Sequence, residues 1–451
     1  MKSILSFLIS MAFATTPFEE ITTQISNSFE RVQSNETCVT ELEDVNSRIK
    51  YLGITTLGID DFENQLSLEE ALAYLNENFE QVEEYLLNSR KALSNLIHAR
   101  MGLGVSRDCI TAWKRYNFYS RYLIEYLAEV ASRDFSPAPK RNDSLKAGDV
   151  IVFRSSGHYE ARLSHIFAQD GAYSNTAIVV ENLKKQKFIA TVLPKKGKLI
   201  LPVDRLNELS AARMTLLRPR SAELAKQASL EAWRIINSRR NFRYDPSYGD
   251  DKERSLHSVE LTKMAFEKAL EKTGEGFSFP VNSSTIPIDR NPRFYSKVNI
   301  ASKSQTSADD FLVEPRLQII EEYTDRSQVK SLHMEEAVVE RMFAYMEDQE
   351  YSFNLKRHCK GLKMSDYSFL KGTRKTRRAA KTFALFDRVA QIISIEFKTL
   401  LAEQEANFKR PLTPLEMMDL VDIVRARDME RYFGKIRKSN FTKYFNPYQK
   451  K

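Results

Sequence analysis

The sequence changes its periodicity at LKAGDVIVF, residues 145–153, and this segment divides the chain into parts of different fold. From about residue 17 to 135, apolar residues recur every three or four positions, which is typical of amphipathic helices. After residue 145, short apolar and β-branched runs alternate with charged or glycine-containing turns, as in a meandering antiparallel sheet. The sequence therefore predicts an α+β protein. The runs predicted as strands are 150–153, 177–180, 188–193, 199–203 and 214–217.

The 451 residues are 42% hydrophobic and 28% charged, which is enough material for two or three domains with their own cores. Serine, proline, asparagine and glycine concentrate after the last predicted helix of the sheet domain and indicate a surface connection. The predicted parts are a signal peptide (1–14), a helical bundle (15–140), the sheet domain (145–271), an extended connection (272–320) and a basic helical region (321–451).

Capping and periodicity place several helices. Helices are predicted at about 222–237 and 256–270, after the strands in the sequence. Near the C-terminus, Thr413 and Glu416 flank Pro414 in the pattern of a capping box with proline at the first helical position. Gly434 is expected to end that helix.

The N-terminus has the features of an export signal. Lys2 precedes an apolar run that ends at Phe13, and Ala12-Phe13-Ala14 is the small-x-small pattern of a signal-peptidase site. The run is too short to span a bilayer, and the remaining chain lacks the roughly 20 apolar residues of a membrane helix. We therefore expect a secreted protein of the bacterial periplasm or cell envelope, with no transmembrane helix in the mature protein. A buried N-terminal helix is the alternative.

Export would place the three cysteines in an oxidising compartment. Cys38 and Cys109 both fall in the predicted bundle, so a bridge between them is plausible and would leave Cys359 free. The spacing does not fix the pairing.

Three short motifs follow one another in the sheet domain: Gly148-Asp149 at the first strand, Ser174-Asn175 at the second, and His257-Ser258-Val259-Glu260 at a helix start. Their order and spacing resemble the circularly permuted papain-like amidases of bacteria, the YiiX-like branch of the NlpC-type cell-wall hydrolase superfamily. The resemblance covers about residues 145–270. It implies a permuted papain-like fold in which Gly148, Asp149 and Glu260 are family-motif residues.

The resemblance puts the catalytic positions on unexpected residues. The family's cysteine nucleophile falls on Ser258, its histidine base falls on Asn175, and its third polar residue falls near Ala190 or Thr191. The family chemistry needs a thiolate activated by an imidazole, which later protonates the leaving amine. An asparagine amide has no titratable proton near neutral pH, so the proton shuttle is lost.

Other histidines are candidate replacements for the base. His165, in Ser164-His165-Ile166, repeats the Ser-His-Ile pattern of the family, and His158 lies one segment earlier. His257 is adjacent to Ser258, but successive residues at a helix start point about 100° apart. Structural roles are the competing interpretation, in which Ser258 is a helix N-cap, Asn175 a strand-edge polar group and Asp149 a turn-capping carboxylate.

A basic run near the C-terminus is the candidate binding element. Six cations and no acid occur between Lys371 and Lys381, ahead of a long apolar helix, and they include Arg374, Lys375, Arg377 and Arg378. With a formal net charge of +8, this favours cell-wall polymer or anionic lipid as a partner, and export argues against nucleic acid. A solvated surface loop is the alternative.

Three interpretations stay open. The first is a catalytically degenerate amidase relative that binds or scaffolds at the envelope. The second is an active amidase or peptidase with Ser258 as nucleophile and His165 or His158 as base. In a third interpretation, the sheet domain is a spacer between functional helical regions. The absence of GxxxxGK[ST], HExxH and CxxC motifs gives no support to a metal or nucleotide cofactor, so none is expected.

Overall fold

The computed structural model describes residues 17–55, 68–130, 144–355 and 374–447, except for short gaps at 169–170, 195, 239–242, 245–254, 275, 277, 282, 299, 301–303, 409 and 435–439. The predicted signal peptide and Cys359 lie outside these residues, as do the side chains of Arg374, Lys375 and Arg377. The chain divides into two compact units, residues 1–133 and 134–451.

The first unit is helical, as predicted. Its helices are α1 (Pro17–Arg31), α2 (Asn35–Thr55), α3 (Leu68–Met101) and α4 (Arg107–Val130). A disulfide joins Cys38 of α2 to Cys109 of α4, with their Cα atoms 5.5 Å apart. Next to it, the Asn46 amide donates to the carbonyl of Ala112 at 2.9 Å, so α2 and α4 are held by a covalent and a polar contact.

The second unit is built on a six-stranded antiparallel sheet of order β10-β5-β1-β2-β3-β4, which confirms the predicted α+β class. Both faces of β1 and β2 are buried, because helices pack on one side and a second apolar layer covers the other. This is why their sequences are continuous apolar runs. The strands are β1 (Val150–Ser155), β2 (Asn175–Glu181), β3 (Lys187–Leu193), β4 (Gly197–Pro202), β5 (Ala211–Pro219) and β10 (Leu317–Thr324).

Helices connect and cover these strands. Helix α5 (His158–Ala168) lies between β1 and β2 in the chain, and α6 (Ala222–Asn237) and α7 (Ser258–Thr273) pack on the sheet at β2 and β3. The remaining elements are the two-residue strands β6 (Arg243–Tyr244), β7 (Ser255–Leu256), β8 (Ser284–Thr285) and β9 (Ser304–Gln305), the helices α8 (Pro292–Val298), α9 (Arg326–Asp348), α10 (Arg374–Phe408) and α11 (Pro414–Phe433), and the short strands β11 (Tyr351–Phe353) and β12 (Phe445–Pro447).

Residues 272–320 differ from the predicted extended connection. They contain α8, a 3₁₀ turn at Ala308–Phe311 and the start of β10, which pairs with β5. Strand β10 was missed because it is an edge strand with a partly exposed face, and Glu321 and Glu322 give it the composition of a loop. The predicted boundary at residue 320 therefore cuts through a strand of the sheet.

Within the described residues, no helix combines the length and the apolar character that a membrane crossing requires.

Gly148 is at the point where the chain enters β1 close to α6. Its φ is +89°, and a Cβ built there would lie 2.2 Å from the carbonyl oxygen of Ala225. Its N–H donates to the carbonyl of Val179 at 2.8 Å, which ties the turn to β2. The position therefore requires glycine both for its backbone angle and for its close approach to α6.

We expect Gly148→Ala to lower the free energy of unfolding by about 2 kcal/mol more than Gly157→Ala does. Both glycines have positive φ, but a Cβ at Gly157 meets nothing within 4 Å, so Gly157→Ala measures the backbone strain alone. Urea denaturation followed by circular dichroism gives both values. Equal losses would contradict the close contact with Ala225.

Candidate functional site around Ser258

Helix α7 begins beside the start of β2 and brings Ser258 to Asn175. The Ser258 hydroxyl donates to Asn175 Oδ1 at 3.1 Å and accepts the Thr176 N–H at 3.2 Å. The Thr176 hydroxyl in turn donates to the Ser258 carbonyl at 2.9 Å. Two positions 83 residues apart, which the sequence interpretation assigns to nucleophile and base, are thus in direct contact.

A carboxylate from α5 completes the chain of hydrogen bonds. Asn175 Nδ2 donates to Glu160 Oε2 at 2.6 Å, and the Ser174 hydroxyl donates to the same oxygen. Because the carboxylate takes the amide N–H, the amide oxygen is turned toward Ser258. Burial raises the pKa of Glu160, and the hydrogen bonds from Ser174 and Asn175 act in the opposite direction.

The segment that leads into Asn175 is fixed from two sides. Asp309 accepts the backbone N–H groups of Ala172 at 2.9 Å and of Tyr173 at 3.3 Å. Arg213 donates to the Ala172 carbonyl at 3.1 Å. The backbone before Asn175 is therefore held by the buried side chains of Asp309 and Arg213.

The hydrogen bonds run from the Ser258 hydroxyl through the Asn175 amide to the Glu160 carboxylate, which is the order of groups in a hydrolase triad. The middle group is an amide, which accepts the hydroxyl hydrogen bond through its oxygen but takes up no proton near neutral pH. Ser258 is 2% and Asn175 1% exposed. The arrangement can orient the Ser258 hydroxyl but cannot deprotonate it.

The two residues near the predicted third polar position lie on β3. Thr191 lies on β3 and its hydroxyl donates to the Thr176 carbonyl at 2.7 Å, while Ala190 pairs with Ile178 in the sheet. The group that orients Asn175 is Glu160. It comes from the helix before β2, and no motif in the sequence marked it.

The histidines considered as replacement bases face other parts of the unit. His158 Nε2 lies 2.6 Å from the Ser394 hydroxyl of α10, and burial lowers its pKa to about 4. His165 stacks on Phe343 of α9, with ring centroids 4.3 Å apart, and burial lowers its pKa to about 4 as well. Both rings are directed at the C-terminal helices instead of Ser258.

The residues at the start of α7 have structural roles beside Ser258. The N-cap is His257, not Ser258 as in the competing interpretation, and Ser258 is the first helical residue. The Glu260 carboxylate accepts the His257 N–H at 3.3 Å, as in a capping box. Burial lowers the pKa of His257 well below its ordinary value.

Asp149 is a turn-capping carboxylate. It accepts the Lys146 N–H at 2.8 Å and two hydrogen bonds from Arg218, at 2.8 and 2.7 Å. A paired acid of this kind fixes the turn that contains Gly148. The Asp149 carboxylate thus has a structural role, and its hydrogen bonds are made to Lys146 and Arg218.

The basic run enters α10, which begins at Arg374. Arg378, on the second turn, is exposed. The side chains of Arg374, Lys375 and Arg377 lie outside the described part of the chain. Of the predicted basic surface, the structure describes the side chains of Arg378 and Lys381. The Lys381 ammonium donates to the Leu355 carbonyl.

Comparisons with known proteins give no relatives: no protein-family model, no curated protein and no solved structure matches the chain.

We expect Glu160→Ala to lower the free energy of unfolding by about 2–3 kcal/mol, because it leaves the buried donors of Ser174 and Asn175 without their acceptor. Glu160→Gln keeps an acceptor oxygen and avoids burying a charge, so its loss should be at most about 1 kcal/mol. Urea titration at pH 7 separates the two variants. A Gln variant as unstable as the Ala variant would show that Glu160 acts through its charge instead.

Proposed function

We propose that residues 145–271 are a permuted papain-like amidase domain that no longer hydrolyses amides, and that the protein binds or scaffolds at the bacterial cell envelope. The observation that carries this proposal is the 3.1 Å hydrogen bond between Ser258 Oγ and Asn175 Oδ1. A resemblance based on three separate motifs predicts that these two positions meet. Their contact supports the proposal, because the two residues are 83 positions apart in the chain.

Loss of hydrolysis follows from the chemistry of the pair. A serine hydroxyl is a far weaker acid than a thiol and needs a base to become a nucleophile. Asn175 supplies none, and the buried hydroxyl of Ser258 donates to Asn175 and accepts from Thr176. The alternative, an active amidase with Ser258 as nucleophile, would need His165 or His158 at this site, and both rings contact α9 or α10 instead.

An envelope location is supported by two features of the N-terminal part. The sequence begins with a predicted export signal, and Cys38 and Cys109 form a disulfide, which persists in oxidising compartments. The formal net charge of +8 favours an anionic partner there, either cell-wall polymer or an anionic lipid surface.

We expect the wild-type protein and Ser258→Ala to release no soluble fragments from purified peptidoglycan, because neither holds a base beside residue 258. In a Cys359→Ser background, residue 258 becomes the sole free thiol in the Ser258→Cys variant. Adding Asn175→His should speed its alkylation by iodoacetamide at pH 6 roughly tenfold or more, since an adjacent imidazole lowers a thiol pKa.

Ser258→Cys in the same Cys359→Ser background is the matched control, because both thiols occupy the same buried position. An alkylation rate that does not change when Asn175→His is added would contradict the assignment of residue 175 to the base position. Fragment release by the wild type that Ser258→Ala abolishes would overturn the loss of hydrolysis, whatever the alkylation result.

We expect the mature protein to co-sediment with peptidoglycan or with vesicles containing phosphatidylglycerol. Testing the two materials separately shows whether the partner is cell-wall polymer or anionic lipid. Changing Arg374, Lys375, Arg377 and Arg378 together to glutamine should weaken this binding several-fold at low salt, with little effect at high salt, where charges are screened. As a control, changing Lys184 and Lys185, on the exposed turn between β2 and β3, removes two charges instead of four and should leave binding unchanged. An equal loss of binding per charge removed would contradict a role for the basic run.

A further inference from the structure

Helix α5 connects the Ser258 site to the C-terminal helices. One of its residues, Glu160, holds the Asn175 amide and the Ser174 hydroxyl at the start of β2. Two others are directed at α10: Arg162 donates to Asp387 at 2.9 Å, and His158 is hydrogen-bonded to Ser394 at 2.6 Å. Any movement of α5 away from α10 would therefore withdraw support from Asn175.

Helix α5 contacts α9 through an aromatic stacking pair at one end and through a carboxylate at the other. His165 stacks on Phe343 at a centroid distance of 4.3 Å, with the ring planes 23° apart. At the other end of α5, the Glu335 carboxylate of α9 accepts the Gly157 N–H at 2.6 Å, one residue before His158. Helix α5 is thus fixed at both ends, and a histidine takes part at each end.

The charges around His158 oppose one another. Asp387 of α10 favours the protonated ring, whereas Arg154 of β1 and Lys398 of α10 disfavour it. Burial is the largest effect and keeps the ring neutral. His165 stacks on the aromatic ring of Phe343. Strand β8, which also packs on α5, consists of two uncharged residues, Ser284 and Thr285. Proton uptake by either ring therefore costs desolvation that the present contacts do not offset.

We propose that α5 is an acid-released latch, in which protonation of His158 and His165 loosens α5 from α9 and α10 and draws Glu160 away from Asn175 and Ser174. Release uncovers the start of β2 and the Ser258 site. The latch goes beyond the proposed function and does not depend on it, since it would operate in an active or an inactive site.

The direction of the pH dependence follows from linkage. Both histidines have pKa values of about 4 when α5 is docked, below the ordinary value of 6.5. At these two histidines the released state therefore binds protons more tightly than the docked state. Burial raises the pKa of Glu160 and of Glu335 in the docked state, and this acts in the opposite direction. The contribution of the two histidines to docking is complete above pH 6.5 and is lost as the pH falls toward 4.

Hydrogen exchange of the full-length protein at pH 7 and pH 5 tests the latch, with rates normalised for the intrinsic pH dependence of exchange. We expect peptides from 158–168 and 172–181 to lose protection together, by roughly twentyfold for each histidine that controls opening. A peptide from α6, 222–237, should keep its protection and so distinguishes local release from global unfolding.

The matched variant is His158→Gln with His165→Phe. Glutamine can still hydrogen-bond Ser394, and phenylalanine can still stack on Phe343, but neither takes up a proton. This variant should lose no protection between pH 7 and pH 5, and His158→Gln alone should lose an intermediate amount.

Two results would overturn the latch. One is wild-type protection at 158–168 that is the same at both pH values. The other is an equal loss of protection in the wild type and in both variants. The peptidoglycan assay does not enter either outcome, so failure of the latch and failure of the proposed function are distinguishable.

Discussion

The Asn175 amide is the interaction on which the site depends. It accepts from Ser258 through its oxygen and donates to Glu160 through its nitrogen, at 3.1 and 2.6 Å. These three residues come from α7, β2 and α5, so one side chain joins the helix start, the sheet and the inserted helix. An amide suits this structural role because it has a donor and an acceptor on one rigid plane. The same property makes it unable to carry a proton between its neighbours.

Buried charges extend this organisation toward the C-terminal helices. Arg154 of β1 and Arg213 of β5 are almost completely buried, and both are paired with Glu336 of α9. Buried ions are tolerated only with such partners, since removing one partner leaves an uncompensated charge. The C-terminal helices are therefore part of the unit that contains the sheet, in agreement with the compact unit formed by residues 134–451.

The features that sequence analysis predicted are those encoded locally. The capping box at Thr413 and Glu416, with Pro414 at the first helical turn, is present as predicted, and α11 ends at Gly434. The strand runs at 150–153 and 188–193 are present. Arg154, Ser155 and Lys187 lengthen them, because these residues pair with neighbouring strands. Glycine at 148 was part of the motif that suggested the fold, and its close approach to Ala225 gives the physical reason for it.

By itself, the sequence determined the α+β class, the five strands between residues 150 and 217, the helices at about 222–237 and 256–270, and the pair of positions, Ser258 and Asn175, on which the functional proposal rests. Periodicity, capping and motif order are local signals, and they need no knowledge of which elements become neighbours. Only the tertiary structure decided that Glu160 orients Asn175, that His158 and His165 face α10 and α9, and that β10 joins the sheet beside β5. These contacts join residues that are separated along the chain and lack a shared pattern, so they follow from the packing of elements and not from local sequence.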